Sequence, residues 1–265
     1  MLHARLLDRT LAFAIGVGAA LTLANLQLRG NGTPSIALAA AAISCVGGWW
    51  LISRANCAAA SRRQMERLRR SEAEARSAYD LALETWARTC EVRGGLGEGY
   101  SRRVAHLAVL VARELGLDDA AITDVRRGAL LHDIGKLWVP ERLLLKPGPL
   151  TPAEREIIER HPTIARDMLR DIPLLESALD IPYSPHERWD GQGYPLGLAG
   201  EDIPLAARLF AVVDHWQALT TDRSYRRAWP KSAALGYLRS SAGTLFEPRM
   251  VDAFLRVLER TPRAG

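Results

Sequence analysis

Cysteine is scarce in this sequence. Only Cys45, Cys57 and Cys90 occur among 265 residues, and their positions form no paired pattern. The lack of pairing argues against a disulfide framework and favours a reducing compartment for the working part of the chain. Strand-like alternation is also nearly absent, so the sequence predicts an all-α protein.

Charge is missing from two stretches near the N-terminus. Residues 10–28 contain no charged side chain, and a second uncharged stretch ends with Trp49 and Trp50 close to its C-terminal border. Each stretch is long enough to cross a hydrocarbon core of about 30 Å as a helix, and tryptophans favour the membrane interface. We therefore predict a transmembrane hairpin over residues 1–53, with spans at about 10–28 and 34–53. The alternatives are a buried helical hairpin and a cleaved signal peptide.

The net charge of +5 is concentrated after the second stretch. Residues 54–70 contain six arginines and one glutamate, whereas residues 71–265 sum to a small negative charge. By the positive-inside rule both termini are expected in the cytoplasm, which places the protein in the cytoplasmic membrane with a cytoplasmic C-terminal domain. The near-neutral larger part argues against a nucleic-acid-binding face, so no nucleic acid partner is expected.

Glycine and proline are absent from residues 54–93, where alanine, arginine, glutamate and leucine dominate. This composition predicts a long juxtamembrane linker helix. Its apolar residues follow three- and four-residue spacing: Met65, Leu68, Ala75, Tyr79, Ala82 and Trp86. Two interpretations stay open, namely a parallel coiled coil that forms a homodimer and a single helix packed on the next domain.

Residues 94–265 are predicted to form one helical domain. An apolar face from Val104 to Leu115 predicts a helix that stops at Gly116. The stretch "TPAEREIIERH" begins with a threonine cap and a proline at the first helical position. Apolar spacing predicts further helices over 122–129, 204–219, 231–239 and 248–260.

Side chains suited to metal binding recur near the ends of these helices. They are His132, Asp133, His161, His186 and Asp214. Asp214 lies within the apolar stretch "LFAVVDHWQAL", where an unpaired carboxylate is costly and requires a cation or strong hydrogen-bond donors. Singly, each residue is more often a solvated or salt-bridged side chain. Together they predict a mixed nitrogen–oxygen site of the kind that suits Mn, Fe or Zn.

Four extended motifs occur in a fixed order and carry a family resemblance. They are "HDIGK" at 132–136, "ERLLLKPGPLTPAEREIIERHP" at 141–162, "HERWDGQGYP" at 186–195 and "VVDHWQALTTDRSYR" at 212–226. Over roughly residues 80–260 the chain resembles the HD-GYP branch of the HD phosphohydrolase superfamily. The resemblance implies an HD-type helical bundle that hydrolyses cyclic di-GMP to pGpG or GMP.

The resemblance also implies roles for individual residues. Asp133 would bridge two divalent transition-metal ions, iron or manganese; His132 and Asp214 would hold one, and His161 and His186 the other. Lys136 would act with Asp133 in catalysis by stabilising charge or assisting the leaving oxygen. The substrate would contact the following residues: Gly193, Tyr194, Arg223 and Arg226.

Three positions depart from the family pattern. Tyr100 and Leu96 stand where the family has a histidine and often a glutamate, and Pro185 replaces the first of two histidines. His106 lies about 240° around the helix from Tyr100, and His215 lies about 100° from Asp214, so neither is expected to replace a lost ligand. We therefore expect weakened binding of two metal ions and no third metal.

Two other functions remain open at this point. A degenerate domain would serve as a cyclic di-GMP sensor or an interaction module, with the retained GYP loop contacting a signalling protein. A third possibility is hydrolysis of another phosphoester, because HD folds host several phosphohydrolase activities.

Overall fold

The described part of the chain is helical. The computed structural model describes residues 17, 18, 22, 36–222 and 227–260. Within these ranges no β-strand forms, and extended pairing is limited to two isolated bridges, His186 with Tyr194 and Ala242 with Phe246. The prediction of an all-α fold is confirmed.

The helices follow the chain in short, closely connected segments. The α-helices are α1 (Ile36–Arg93), α2 (Tyr100–Glu114), α3 (Asp119–Leu131), α4 (Glu141–Leu144), α5 (Pro152–Glu159), α6 (His161–Leu169), α7 (Asp180–Tyr183), α8 (Leu205–Thr220), α9 (Lys231–Ser240) and α10 (Pro248–Arg260). Three 3₁₀ helices cover Ile134–Trp138, Pro173–Ala178 and Gly200–Asp202.

Residues 1–76 form one compact unit, whose described part is mainly the first portion of α1. Met65 and Leu68 of the predicted apolar stripe are 55% and 53% exposed here. Among the residues described, no helix is long and apolar enough to cross a membrane. The predicted span at 10–28 lies outside the described residues except for three positions. The transmembrane hairpin is therefore unsupported and stays a prediction.

Residues 77–265 form the second compact unit, which includes the last turns of α1. Leu83, Ala87 and Cys90 of this helix are buried in the main core, four and three residues apart. Ion pairs add to this packing, since Arg126 of α3 lies 2.7 Å from Glu84 and 3.4 Å from Asp80. This end of α1 is thus a single helix packed on the domain, and its buried face differs from the predicted stripe, of which Trp86 is 41% exposed.

The core of the second unit lies where α2, α3, α8 and α10 pack together. Small residues on α2, such as Ala108, let the neighbouring helices approach closely, and Phe210 and Phe254 fill the space between helices. The helix predicted over 122–129 extends from Asp119 to Leu131 and begins at a capping residue. Asp118 accepts a hydrogen bond from Ala121 N at the start of α3.

The stretch "TPAEREIIERH" forms two helices instead of one. Thr151 and Glu154 form a capping box at the start of α5, as expected from the threonine cap. Helix α5 ends at Glu159, and α6 begins at His161 with Pro162 in its first turn. Because Pro162 has no backbone N–H, it fits a first turn but interrupts a continuous helix. The break turns His161 toward the centre of the domain.

Candidate metal centre

The predicted ligands lie at helix ends that meet in the second unit. His132 is the C-terminal cap of α3, Asp133 precedes a 3₁₀ helix, and His161 is the first residue of α6. His186 follows α7 in a loop, and Asp214 lies within α8. Four separate segments therefore contribute to one site, which requires the tertiary fold to be complete.

Gly135 explains how two of these segments come so close. A Cβ atom at this position would lie 2.0 Å from the backbone oxygen of His161 and 2.9 Å from Ala165 N. No side chain fits at such a distance, so only glycine lets the 3₁₀ helix rest on the start of α6. This contact brings Asp133 next to His161.

The distances between ligand atoms describe a compact cluster. One ligand atom from each of Asp133, His161 and His186 lies within 4.8 Å of the other two. His132 Nε2 lies 3.3 Å from Asp133 Oδ2 and 3.8 Å from Asp214 Oδ1. The structure thus brings the five predicted metal ligands together in one cluster.

Backbone carbonyls orient two of the imidazoles. His132 Nδ1 donates to Ala129 O at 2.8 Å, and His161 Nδ1 donates to Ile158 O at 2.7 Å. Because a carbonyl oxygen only accepts, each Nδ1 carries the hydrogen and each Nε2 faces the carboxylates. A hydrogen bond at the second ring nitrogen is the usual way in which a metal-binding histidine is held.

Two buried polar atoms at this site lack a hydrogen-bond partner among the described residues. They are Asp133 Oδ1 and His161 Nε2, which lie 3.7 Å apart. Lys136 Nζ approaches Asp133 Oδ1 to 2.7 Å as an ion pair without hydrogen-bond geometry. Buried polar atoms are normally paired, so a carboxylate oxygen and an imidazole nitrogen left facing each other fit a divalent cation.

Burial sets the protonation of two histidines. It lowers the pKa of His161 to about 4 and the pKa of His186 to about 3, because a charged imidazole loses its hydration inside the domain. Both rings are neutral near pH 7, the form that binds a metal. Their unprotonated nitrogens suit iron, manganese or zinc.

The carboxylates have the opposite balance. Burial opposes their ionisation, but His132 and Lys136 outweigh it and hold the pKa of Asp133 well below its usual value. His132 and His186 likewise keep the pKa of Asp214 low against the effect of burial. Burial lowers the pKa of His132, yet the adjacent Asp133 and Asp214 carboxylates raise it overall.

Of the three departures from the family pattern, Tyr100 lies at this site and Leu96 lines a cavity that reaches it. Tyr100 is 1% exposed, and its hydroxyl is 3.4 Å from Asp214 Oδ1. Leu96 is half-buried against the core and lines a neighbouring cavity, while Pro185 is buried. An aromatic ring and a neutral hydroxyl thus take the place that the resemblance gives to a ligand.

The loop "HERWDGQGYP" is held mainly by contacts within the protein. Glu187 accepts hydrogen bonds from Leu196 N at 2.7 Å and Leu198 N at 3.0 Å, and Arg188 pairs with Asp190. A Cβ atom at Gly193 would lie 2.4 Å from Arg188 N. These contacts explain Gly193 by the closure of the loop. Its predicted contact with substrate stays a prediction.

Tyr194 packs on His186 in the same loop. Its ring lies 5.0 Å from the His186 ring, and its backbone N–H donates to His186 O at 3.3 Å. The His186 ring in turn lies 5.2 Å from the His161 ring. Tyr194 therefore fixes the orientation of a predicted ligand and lies beside the centre. The predicted substrate contacts at Arg223 and Arg226 lie outside the described residues.

Two cavities open onto the cluster. One of about 200 Å³ is bounded by Asp133, Lys136, His186, Asp214, His215, Tyr100 and Ala218. A larger one of about 370 Å³ also reaches Asp133 and Lys136 and continues past Leu96 to Lys146 and Arg155. Lys136 therefore borders both cavities, and its Nζ lies beside Asp133 Oδ1 in the cluster of predicted ligands.

His215 was not expected to replace a lost ligand, yet it borders the smaller cavity beside Asp214, and its Nδ1 donates to Ala211 O at 2.9 Å. Adjacent helical residues both reach the cavity because it lies across the side of α8. The adjacent Asp-His pair at 214–215, in the reverse order of His132-Asp133, was the available signal. By contrast, His106 is exposed, as expected.

Known proteins resemble this chain over the second unit. The profile of the HD domain family matches residues 87–250. The cyclic di-GMP phosphodiesterase response regulator RpfG of Xanthomonas campestris pv. campestris is 44% identical over 176 residues, covering 66% of this chain and 47% of that protein. The 3'3'-cGAMP-specific phosphodiesterase 3 of Vibrio cholerae is 36% identical over 164 residues, covering 62% of this chain and 36% of that protein. This chain thus spans less than half the length of these relatives.

A solved structure shows the same fold. A cyclic GMP-AMP specific phosphodiesterase of V. cholerae (V-cGAP3) superposes with a TM-score of 0.54 at 19% sequence identity, covering 69% of this chain and 49% of that one. At this identity the similarity concerns the helical fold alone.

Proposed function

Because the chain belongs to the HD domain family, we propose that it is a metal-dependent phosphodiesterase that hydrolyses a cyclic dinucleotide, with cyclic di-GMP as its substrate. The names of similar proteins support the HD-GYP branch and this substrate class. The observation that carries the proposal is the cluster of Asp133, His161 and His186, in which the buried His161 Nε2 has no hydrogen-bond partner among the described residues.

The cluster divides into two sets of ligands that share Asp133. His132 and Asp214 would hold one cation with it, and His161 and His186 the other. Bound divalent cations at such a site activate a water molecule and offset charge on the phosphodiester. Three protein ligands at each ion leave positions open for water and substrate. Tyr100 at a ligand position supports weaker metal binding, and Leu96 at the position of a frequent glutamate supports two ions and no third.

The chain's own residues would assist at defined atoms. Lys136 Nζ, between the two cavities, is placed to donate to a phosphate oxygen or to the leaving oxygen. His215 offers Nε2 beside the smaller cavity because its Nδ1 is occupied by Ala211 O. Tyr100 donates toward Asp214 and keeps that carboxylate oriented. His132 would hold a cation through Nε2, because its Nδ1 donates to Ala129 O.

Substrate choice within the class is proposed from the relatives' names. Similar proteins include enzymes named for cyclic di-GMP and others named for 3'3'-cGAMP. We favour cyclic di-GMP, for which RpfG is named. A direct comparison of the two dinucleotides at equal concentration measures this preference.

A catalytically inactive sensor is the second candidate, and Tyr100 at a ligand position is the observation that favours it. One experiment separates the two functions. Purified protein loaded with Mn or Fe is analysed for metal content and assayed with cyclic di-GMP. About two ions per chain and a linear product support the hydrolase. Tight dinucleotide binding with substoichiometric metal and no product would support the sensor.

We also propose membrane attachment through residues 10–28 and 34–53. The uncharged stretches and the arginines that follow them support this proposal. Carbonate extraction of cell membranes tests it, because an integral protein stays in the pellet whereas a peripheral one is released. We also propose that the chain forms a homodimer through α1 and that the loop at Gly193–Pro195 contacts a signalling protein. Cross-linking in membranes tests the homodimer.

A further inference from the structure

The larger cavity beside the metal centre has features that the hydrolytic centre does not require. Its volume is about 370 Å³, against about 200 Å³ for the smaller cavity that contains His186 and Asp214. Drug-sized ligands occupy sites of about 300–1,000 Å³, so the smaller cavity alone is too small for a cyclic dinucleotide. The substrate needs additional space, and the larger cavity begins at the same Asp133 and Lys136.

Positive charge accumulates at the far side of the larger cavity. Lys146 and Arg155 line it, in addition to Lys136, whereas Asp133 is its one acidic lining residue in the described ranges. Lys146 is fixed by Glu154, 2.5 Å away, a residue that also caps α5. Arg155, on the next position of α5, forms no ion pair with a described residue, so its guanidinium keeps its full hydrogen-bonding capacity.

Apolar side chains cover the remaining wall. Leu96, Leu143, Leu150 and Ile158 line the space between the two ends of the cavity. Leu96 is the chain's own departure from a frequent glutamate, and it replaces a charge by a surface suited to the face of a purine. A cavity that combines an apolar wall with cations matches a nucleotide, which has a flat base and a phosphate.

We propose that the larger cavity binds the non-reacting half of the cyclic dinucleotide, with Arg155 contacting its second phosphate and Leu96 its base. The inference rests on the proposed function and deepens it by assigning substrate contacts outside the metal centre. The reacting phosphate occupies the smaller cavity, and Lys136 lies between the two halves. A small phosphodiester without a second nucleotide makes no use of Arg155.

The test compares two substrates of different size on the Mn-loaded full chain. Arg155→Gln is expected to lower kcat/KM for cyclic di-GMP about 10- to 100-fold, as for the loss of a charge-assisted contact. Hydrolysis of bis(p-nitrophenyl) phosphate should stay within about twofold of wild type. Arg170→Gln is the matched control, because it removes the same charge from an exposed pair with Asp167 and lines neither cavity.

Two outcomes would overturn the assignment. Equal losses of kcat/KM on both substrates would mean that Arg155 acts at the metal centre or stabilises the fold. No loss on either substrate would mean that Arg155 does not contact the substrate. Failure of the proposed function is separable, since the wild-type protein would then hydrolyse neither compound. In that case, calorimetric titration of metal-stripped protein with cyclic di-GMP still decides. Binding weakened by Arg155→Gln supports the subsite, and unchanged or absent binding refutes it.

Discussion

At the scale of single residues, the centre depends on the side chains of its ligands and on a glycine, Gly135, where no side chain fits. The five predicted ligands converge because Gly135 lets two backbone segments touch, with 2.0 Å between its missing Cβ and His161 O. Gly193 has a similar role in the loop that carries His186. Two glycines of the sequence motifs therefore act through geometry, and the histidines act through chemistry.

Gly135→Ala is expected to destabilise the domain by more than about 3 kcal/mol and to abolish metal loading, because the added methyl group collides with rigid backbone. Thermal unfolding and metal content measure the two effects. Gly236→Ala is the control, since Gly236 lies in α9 with no atom within 4 Å of an added Cβ. It should stabilise α9 by up to about 1 kcal/mol. Similar behaviour of both variants would contradict the packing argument.

The two buried histidines predict a pH dependence of stability. Their folded pKa values of about 4 for His161 and about 3 for His186 lie below the unfolded value near 6.5. Between about pH 4 and 6.5 the unfolded chain therefore binds more protons, and stability falls as the pH falls. The raised pKa of His132 has the opposite effect on stability: its contribution to the free energy of unfolding increases as the pH falls and is fully present below pH 6.5.

Urea unfolding of the metal-free protein measures this effect. The free energy of unfolding should decrease by about 3 kcal/mol between pH 6.5 and 5. His186→Asn should remove about half of the pH slope, whereas His106→Asn, at an exposed position, should leave it unchanged. Parallel slopes for all three proteins would rule out the neutral state of His186 as the cause.

At the scale of helices, the sequence predicts ends better than faces. Gly116 and the caps at Asp118 and Thr151 define local hydrogen bonds, which a short stretch of sequence encodes. The buried face of α1 depends on what packs against it. Leu83 and Cys90 were therefore missed, and the spacing through Met65 suggested a face that the structure leaves exposed.

The same distinction applies to the centre. Histidines and carboxylates in ordered motifs predicted the cluster. Arg155, on a short helix, and Lys146, in the loop before it, gave no comparable signal, because single charged residues at such positions are usually solvated. Their position beside a cavity follows from tertiary packing alone. His215 was missed because angular spacing on a helix does not define how wide an adjoining cavity is.

The join between α1 and α2 gives a prediction at this scale. Glu91 is 4% exposed and accepts hydrogen bonds from Gly99 N at 2.9 Å and Ser101 N at 2.6 Å, at the start of the helix that carries Tyr100. Glu91→Gln removes the charge and one acceptor, and should lower the free energy of unfolding by about 1–3 kcal/mol. Denaturant unfolding measures it. Glu98→Gln, in an exposed pair, should change stability by less than about 0.5 kcal/mol.

At the scale of the whole molecule, the compact unit that contains the centre begins at Ser77, inside α1. The matched family region begins at residue 87. The expected boundary at residue 94 would separate Leu83 and Glu91 from the core that they complete. The last turns of α1 are thus part of the second compact unit.

Truncation tests this boundary. A fragment of residues 77–265 should unfold cooperatively and bind metal as the full chain does. A fragment of residues 94–265 should lose more than about 3 kcal/mol, because the core loses Leu83 and neighbouring apolar contacts. Urea denaturation followed by circular dichroism compares them. Equal stability of the two fragments would show that α1 is dispensable to the domain.

The bond pair made by Glu91 has a mechanical consequence. The carboxylate at the end of a 58-residue helix holds the two amides that flank Tyr100, and the Tyr100 hydroxyl reaches Asp214. A rotation of that helix about its own axis would pull on these amides and tilt the phenol ring against the carboxylate. A small rotation of the last turn of α1 would therefore shift Asp214, a predicted ligand, although no ligand has entered the pocket.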